Sequence, residues 1–459
     1  MQEQRSNNQQ ALATAPLWPL MLKLALPAVV AQLVNLLYNI VDRIYIGHMA
    51  ENGDLALTGL GLTFPVILSV SAFSALAGNG GAPIAAIFLG KEDEDSAQRI
   101  LGNAVFLLLV FAMGLTGLFF AIKKPLLYLV GASEQTFSFA DQYLSIYLAG
   151  TVFVLLSMGL NQFISCQGRS KVAMLSILIG AVCNLLLDPL FIFVFDMGIR
   201  GAALATVLSQ AVSALWVVRF LCSKRSILRI RLSNLRPRRE MLLRITALGI
   251  SPFIMQITES AISLVLNNGL QTYGGDLYVG SMTILNSVMQ IAFSLNNGFA
   301  GGIQSIISYN YGARNFGRVK QTFRRMITTT FLMGAAFTLT VDLFPGFYAG
   351  LFTDNPELIA LTAKVLPVFT AGMWIFGIQT GCQNTFLGLG QAKISLFFAL
   401  LRKVLLLIPL ALLLPRLGLG VWGVYLAEPI ADVLSATAIG VTFLFSYKKI
   451  LSEEALRRV

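Results

Sequence analysis

Apolar stretches long enough to cross a bilayer recur along the chain, separated by short polar or charged breaks. Twelve runs can be drawn, at about 22–46, 55–88, 101–121, 140–164, 172–195, 201–221, 246–270, 277–307, 326–344, 362–387, 394–414 and 420–446. Each approaches or exceeds the roughly 20 residues that a helix needs to traverse a hydrocarbon core about 30 Å thick. The pattern predicts an all-α polytopic membrane protein with twelve transmembrane helices. The second and eighth runs are longer than a bilayer requires, which predicts tilt or a helical extension.

The largest interruption, Ser223 to Arg244, carries Lys224, Arg225, Arg229, Arg231, Arg236, Arg238, Arg239 and Arg244, and divides six runs from six. Its midpoint position prompts a search for internal symmetry. At an offset of 222 residues Gly53-Asp54-Leu55 meets Gly275-Asp276-Leu277, Gly80 meets Gly302, and Gly90 meets Gly312. Ala149-Gly150, Gly159, Gly168 and Lys171 likewise meet Ala371-Gly372, Gly381, Gly390 and Lys393, and Gly198-x-x-Gly201 meets Gly420-x-x-Gly423. In the first spans the register is 225, pairing Pro27 with Pro252. An even number of spans per unit gives the halves one orientation, related by an axis along the membrane normal. Two pseudo-symmetric six-helix bundles around a central cavity follow. The expected division is a tail at 1–19, an N-lobe at 20–222, a basic linker at 223–245, a C-lobe at 246–446 and a tail at 447–459. Ser133 and Asn355, also paired at 222, are expected N-caps, with Pro356 at a first helical position where its missing N–H costs nothing.

Composition sharpens the class. Of 459 residues 56% are hydrophobic and 12% charged, about half the charge of a soluble domain. The net charge of +11 invites a nucleic-acid partner, but its distribution excludes one. With the amino terminus inside, the inner loops and tails hold 24 of the 33 Lys and Arg and the outer loops six, leaving Arg219, Arg402 and Lys403 within spans. That asymmetry puts both termini in the cytoplasm of a cell with this chain in its plasma (inner) membrane. The linker's basic residues would meet anionic headgroups. The polar amino terminus lacks a cleavable signal pattern, so the first span is expected to be retained. Cys166, Cys183, Cys222 and Cys382 lack metal-ligand spacing and read as packing residues, and His48 cannot make a metal site alone.

A repeat supplies its own control: what the scaffold needs tends to recur, and what one half alone does need not. Asp188 is matched by Leu410, Asn184 by Leu406, Thr206 by Glu428 and, at 225, Asp42 by Asn267. Asp188 lies mid-span, where an ionisable group costs about 2.5–3.5 kcal/mol on insertion scales and marks function by default. Asn184 is one turn away on the same face, and Pro189 frees the carbonyl of Leu185. Proline recurs near this position as Pro409, so the kink belongs to the scaffold. Counting rise per residue, Asp42, Asp188 and Thr206 all fall in the outer half of the bilayer. Two carboxylates, an amide and a hydroxyl suit Na⁺ or a bound proton.

The second half has different charges. Arg402 and Lys403 lie in the eleventh span, and Glu428 and Asp432 one turn apart in the twelfth; Arg402 and Glu428 fall within about 5 Å of one height. They read as an ion pair with structural, gating or substrate roles. Glu259 has no evident partner in the sequence and is the next candidate for a substrate charge. Met255, Met282, Met289, Phe253 and Phe293 lie nearby, offering deformable thioethers and aromatic faces to flat or cationic molecules.

Three stretches resemble the multidrug and toxic compound extrusion (MATE) family of transporters: Pro27 with Asn39-Ile-Val-Asp42-Arg-Ile-Tyr-Ile-Gly47, Gln167-Gly-Arg-Ser-Lys171 running on to Asn184-Leu-Leu-Leu-Asp188-Pro189, and Gly198-x-x-Gly201-Ala-Ala-x-Ala-Thr206. The resemblance covers the whole chain. It implies antiport of organic cations and drugs out of the cell against inward H⁺ or Na⁺, without a cofactor, by a monomer. It also implies a cation site at Asp42, Asn184, Asp188 and Thr206. Family members with a second-half site combine an acid in the seventh span with one in the tenth. Here Glu259 fills the first role but residues 365–387 hold no acid, so the first half is expected to do the coupling.

The alternative is a flippase for a lipid-linked saccharide precursor, of the same superfamily. Its anionic substrate would want a cavity rich in Arg or Lys, and only Arg402 and Lys403 qualify. An enzyme is disfavoured: no HExxH or GxSxG pattern is present. A channel would want repeated polar rings.

Overall fold

The computed structural model describes residues 10–49 and 53–452, with backbone alone at 54, 260, 276 and 448. The outermost parts of both expected tails, 1–9 and 453–459, lie outside the described residues. In the first lobe α1 is Leu17–Gly47, α2 Gly53–Gly90 and α3 Glu94–Val130; α4 has two arms, Glu134–Ala149 and Thr151–Ser165, meeting at 58°. Then come α5, Ser170–Pro189, and α6, Gly198–Cys222. In the second lobe α7 is Arg239–Gly274, α8 Asp276–Gly312 and α9 Phe316–Leu343; α10 has arms Pro356–Thr370 and Met373–Gly388 at 46°. Residues 392–419 form α11 and Gly420–Ile450 forms α12.

This is a multi-pass membrane protein. Among the described residues nine helices are long and apolar enough to span, eleven with each bent pair counted as one. The last of these, Ala392–Tyr447, has 56 residues, about 84 Å of helix against a core of about 30 Å. It turns back at Gly418, where φ is +94°, and its two arms pack together. Asp196, the position 222 residues earlier, also has positive φ (+51°) and lies between α5 and α6. A count of twelve passes rests on dividing the long helix there.

The repeat reaches down to single backbone angles. Gly168 and Gly390 have φ of +75° and +70°, Gly198 and Gly420 +54° and +50°, and Glu92 and Arg314 +63° and +58°. The caps follow suit. Ser133 accepts from the N–H of Thr136 in a capping box, and Asn355 accepts from Glu357 and Leu358 with Pro356 behind it. After Pro189 the helix widens into a π turn, Leu190–Val194, and a π turn, Leu401–Leu407, precedes Pro409. A ring that cannot donate its N–H forces such local rewinding.

The lobes meet at the end that carries the linker. Every described glycine whose missing side chain admits a helix of the other lobe lies there: Gly80, Gly90, Gly249, Gly298, Gly302 and Gly312. A Cβ on Gly80 would stand 2.8 Å from Gly249 of α7, and one on Gly302 2.7 Å from Ala25 of α1. Gly90 faces the carbonyl of Tyr309 while Gly312 faces that of Ile87, and 87 and 309 differ by 222. These are the same contacts generated twice by a two-fold axis. A third tie is Leu12, whose side chain lies over Gly168 of the N-lobe. Its carbonyl accepts from Asn310 Nδ2 and Arg318 Nε of the C-lobe, both at 2.9 Å.

The linker departs from the expectation of a simple basic anchor. Its charged Lys224, Arg225, Arg231 and Arg236 are exposed, but Ser226, Ile227 and Leu228 are buried. Gln167 Oε1 accepts from Ser226 Oγ and from the N–H groups of Ile227 and Leu228 at 2.8–3.1 Å. Asn103 Oδ1 accepts from the N–H of Arg238 at 2.8 Å. The segment is therefore docked onto the N-lobe.

Candidate functional site

The four first-lobe residues come from three helices that pack in sequence, α1 on α5 and α5 on α6, with the first arm of α4 against α6. Asp42 is 8% exposed, Asn184 3% and Asp188 0%. The carboxyl groups of Asp42 and Asp188 come within hydrogen-bonding range of each other. Asn184 Nδ2 donates to Asp188 Oδ1 at 3.2 Å, the i to i+4 relation that the sequence implied. Asp42 Oδ1 and Asp188 Oδ2 are buried without a hydrogen-bond partner. Two bare carboxylates at such range repel by about 5 kcal/mol at an effective dielectric constant of about 20. A shared proton or a bound monovalent cation removes that repulsion, so the donor set fits either.

Thr206 joins less directly. Its hydroxyl lies near the phenol of Tyr143, which is within electrostatic reach of Asp42. Tyr38, one turn before Asp42, feels both carboxylates. Neither tyrosine was singled out from sequence. The available signals were the spacing of Tyr38 four residues before Asp42 and the Tyr143–Tyr147 pair one turn apart, whose rings stack at 6.3 Å. Arg43 is also near Asp42, but its side chain is exposed and lies over the Phe64 ring at 5.7 Å.

The second lobe is built on paired charges. Arg402 forks between Glu428 and Asp432, donating from Nη2 and Nε at 2.7 Å each, and Asp432 Oδ2 remains without a partner. The expected Arg402–Glu428 pair is thus present, with Asp432 as a third member. The guanidinium also lies 4.8 Å from the Phe376 ring and 6.0 Å from that of Phe293. Glu259, expected to lack a partner, has one: Lys403 Nζ donates to Glu259 Oε2 and to the carbonyl of Met255. The pair links α7 to α11, a contact that no sequence spacing announces.

Two candidates are corrected. Met282 is 0% and Met289 2% exposed, both packed in the apolar core of the second lobe, so neither offers a surface to a bound molecule here. Phe293 is only partly buried against that core, and Phe253 contacts Phe73 across the lobes at 5.0 Å. Cys166 and Cys382 are buried as expected of packing residues, whereas Cys222 is exposed.

The MatE family model matches the chain twice, over 27–190 and 252–413, so each match begins at one member of the Pro27–Pro252 pair. The chain is 25% identical over 418 residues to the multidrug export protein MepA of Staphylococcus haemolyticus, covering 90% of this chain and 91% of that one. It superposes on the outward-facing conformation of a multidrug resistance MATE family transporter with a TM-score of 0.87 at 25% identity, covering 96% of each chain. A MATE structure in a bent conformation gives 0.89, also at 25% identity and covering 98% of each chain. Duplicated architecture, matched segments and superposition agree, and the chain belongs to the MatE family of transporters.

Proposed function

We propose that the chain exports amphiphilic organic cations in exchange for inward-moving H⁺ or Na⁺, alternating access between two lobes in the plasma membrane. The observation that carries this reading is the Asp42–Asp188 pair: two buried carboxylates with two orphaned oxygens and, unlike the acids of the second lobe, no Arg or Lys salt bridge among the described residues. Bare carboxylates are costly to bury, and carboxylates that have taken up a proton or Na⁺ are much less so. Uptake of the coupling ion at Asp42, Asp188, Asn184 and Thr206 then favours a rearranged first lobe that releases its cargo. In this reading the lobe contact at the linker end closes the cytoplasmic side. Support also comes from relatives that carry the name multidrug export protein.

The precursor flippase gains nothing from the geometry. Arg402 and Lys403, the cations such a substrate would need, are each already paired with carboxylates.

The test is ethidium efflux from proteoliposomes under a pH gradient or a Na⁺ gradient, each imposed separately. Asp188→Asn and Asp42→Asn are expected to lower gradient-driven efflux at least tenfold. Coupled transport at the wild-type rate in both variants overturns the mechanism.

A further inference from the structure

The five charged side chains Arg402, Lys403, Glu259, Glu428 and Asp432 are not held alike. Arg402 is enclosed by two carboxylates and two aromatic rings. Lys403 holds one carboxylate and one carbonyl, and the two ends of its ion pair differ in exposure: 8% for the lysine side chain and 56% for Glu259. A carboxylate that open cannot face lipid, because an exposed charge in hydrocarbon survives only in a water-filled space. Glu259 therefore presents one side to the space between the lobes, and Lys403 reaches it from the protein side. The cluster is also one charge short, with two cations against three carboxylates. The deficit has a place: Asp432 Oδ2 is buried without a partner, and both Asp432 and Glu428 are within electrostatic reach of Lys403. None of this recurs in the first lobe, where positions 402, 403 and 259 correspond to Gly180, Ala181 and Val34.

We propose that Lys403 is a built-in competitor for the exported cation. It occupies Glu259 in the empty transporter; a lipophilic monocation entering the cavity takes its place, and the ammonium swings on its flexible stem toward Asp432. The oxygen pair that lysine vacates, carboxylate plus carbonyl, is what a single positive charge needs. One added positive charge brings the cluster to neutrality, which selects monocations over dications. This deepens the reading of the chain as a cation exporter and rests on it.

Equilibrium binding of tetraphenylphosphonium to the purified full-length chain, with no ion gradient, tests the idea. Lys403→Met is expected to tighten binding about tenfold, Glu259→Gln to weaken it about tenfold, and the double variant to match Glu259→Gln. Lys403→Arg, which keeps the positive charge, should stay near wild type. Unchanged or weaker binding in Lys403→Met overturns the proposal, as does a gain that survives in the double variant. All variants are compared at one fixed pH and Na⁺ concentration and keep Asp42 and Asp188, so the ion occupancy of that pair is common to them and a failure of gradient-driven coupling leaves the comparison standing. Absence of tetraphenylphosphonium binding in every variant overturns the cation-export reading, and this proposal with it.

Discussion

The two lobes share a backbone and differ in how they treat charge. In the first, Asp42 and Asp188 are buried beside one another with oxygens left unsatisfied. In the second, Arg402 and Lys403 bring internal cations to Glu428, Asp432 and Glu259. Glycines at the lobe crossing, left-handed turns and helix caps recur at one offset, so duplication preserved what the scaffold needs. The ionisable residues diverged because each lobe answers the cost of a buried acid differently. The first lobe has no internal cation against its acids, whereas the second brings two of its own and is left one positive charge short.

That contrast predicts opposite responses to substitution. Arg402→Met leaves two buried carboxylates facing each other and is expected to cost about 3–5 kcal/mol of stability. Asp188→Asn removes one of two like charges and is expected to leave stability unchanged or raised. Thermal unfolding in detergent measures both, and an equal drop in the two variants would erase the distinction between the lobes.

The shared scaffold predicts the reverse, equal responses. A side chain at Gly80 or Gly302 intrudes on the backbone of the opposite lobe, and overpacking of this kind costs about 1–3 kcal/mol. Gly80→Ala and Gly302→Ala should each open the linker end. With the four native cysteines replaced, a cysteine introduced there should react with a water-soluble maleimide about tenfold faster in both variants. A change in one alone would mean that the contact is not two-fold.

The smallest effect separates matched caps. Asp93 Oδ1 accepts from the N–H of Ser96 at the start of α3, and Asn315, 222 residues on, accepts from Arg318 at the start of α9. The Ser96 hydroxyl, then its backbone N–H and the nearby Arg99 and Lys91, hold the Asp93 carboxyl below the usual carboxylate range. A group depressed on folding contributes stability above its unfolded value, about 3.9, and loses it as pH falls through the folded one. Amide protection at Ser96, corrected for intrinsic exchange, should therefore weaken as pH drops below about 4, while that at Arg318 should not. Parallel loss at both would refute the assignment.

Much of this is legible in the sequence. Apolar runs announced the spans because hydrocarbon leaves a helix few alternatives, and the offset of 222 announced the lobes. Asp42 and Asp188 stood out because an acid in such surroundings is costly, Asn184 because it lies one turn from Asp188, and counting rise per residue put Asp42, Asp188 and Thr206 in the outer half of the bilayer. Rotation about a helix axis was harder. Around Met282 and Met289 nearly every face is apolar, so periodicity does not say which side meets the cavity. Bonds across the chain, such as Lys403 to Glu259 or Gln167 to Ser226, depend on tertiary placement that no local spacing encodes. The docking of Leu228 was hidden for another reason: the surrounding arginines dominated the reading of that segment.

Leu12 has a practical consequence for anyone who handles this protein. Its side chain rests on one lobe and its carbonyl is gripped by the other, so any load attached just upstream pulls on the joint between them. The opposite terminus offers no such lever: Ile450 is tethered by Tyr311 inside its own lobe. A purification handle, fluorophore or fusion partner is better hung from the carboxyl end.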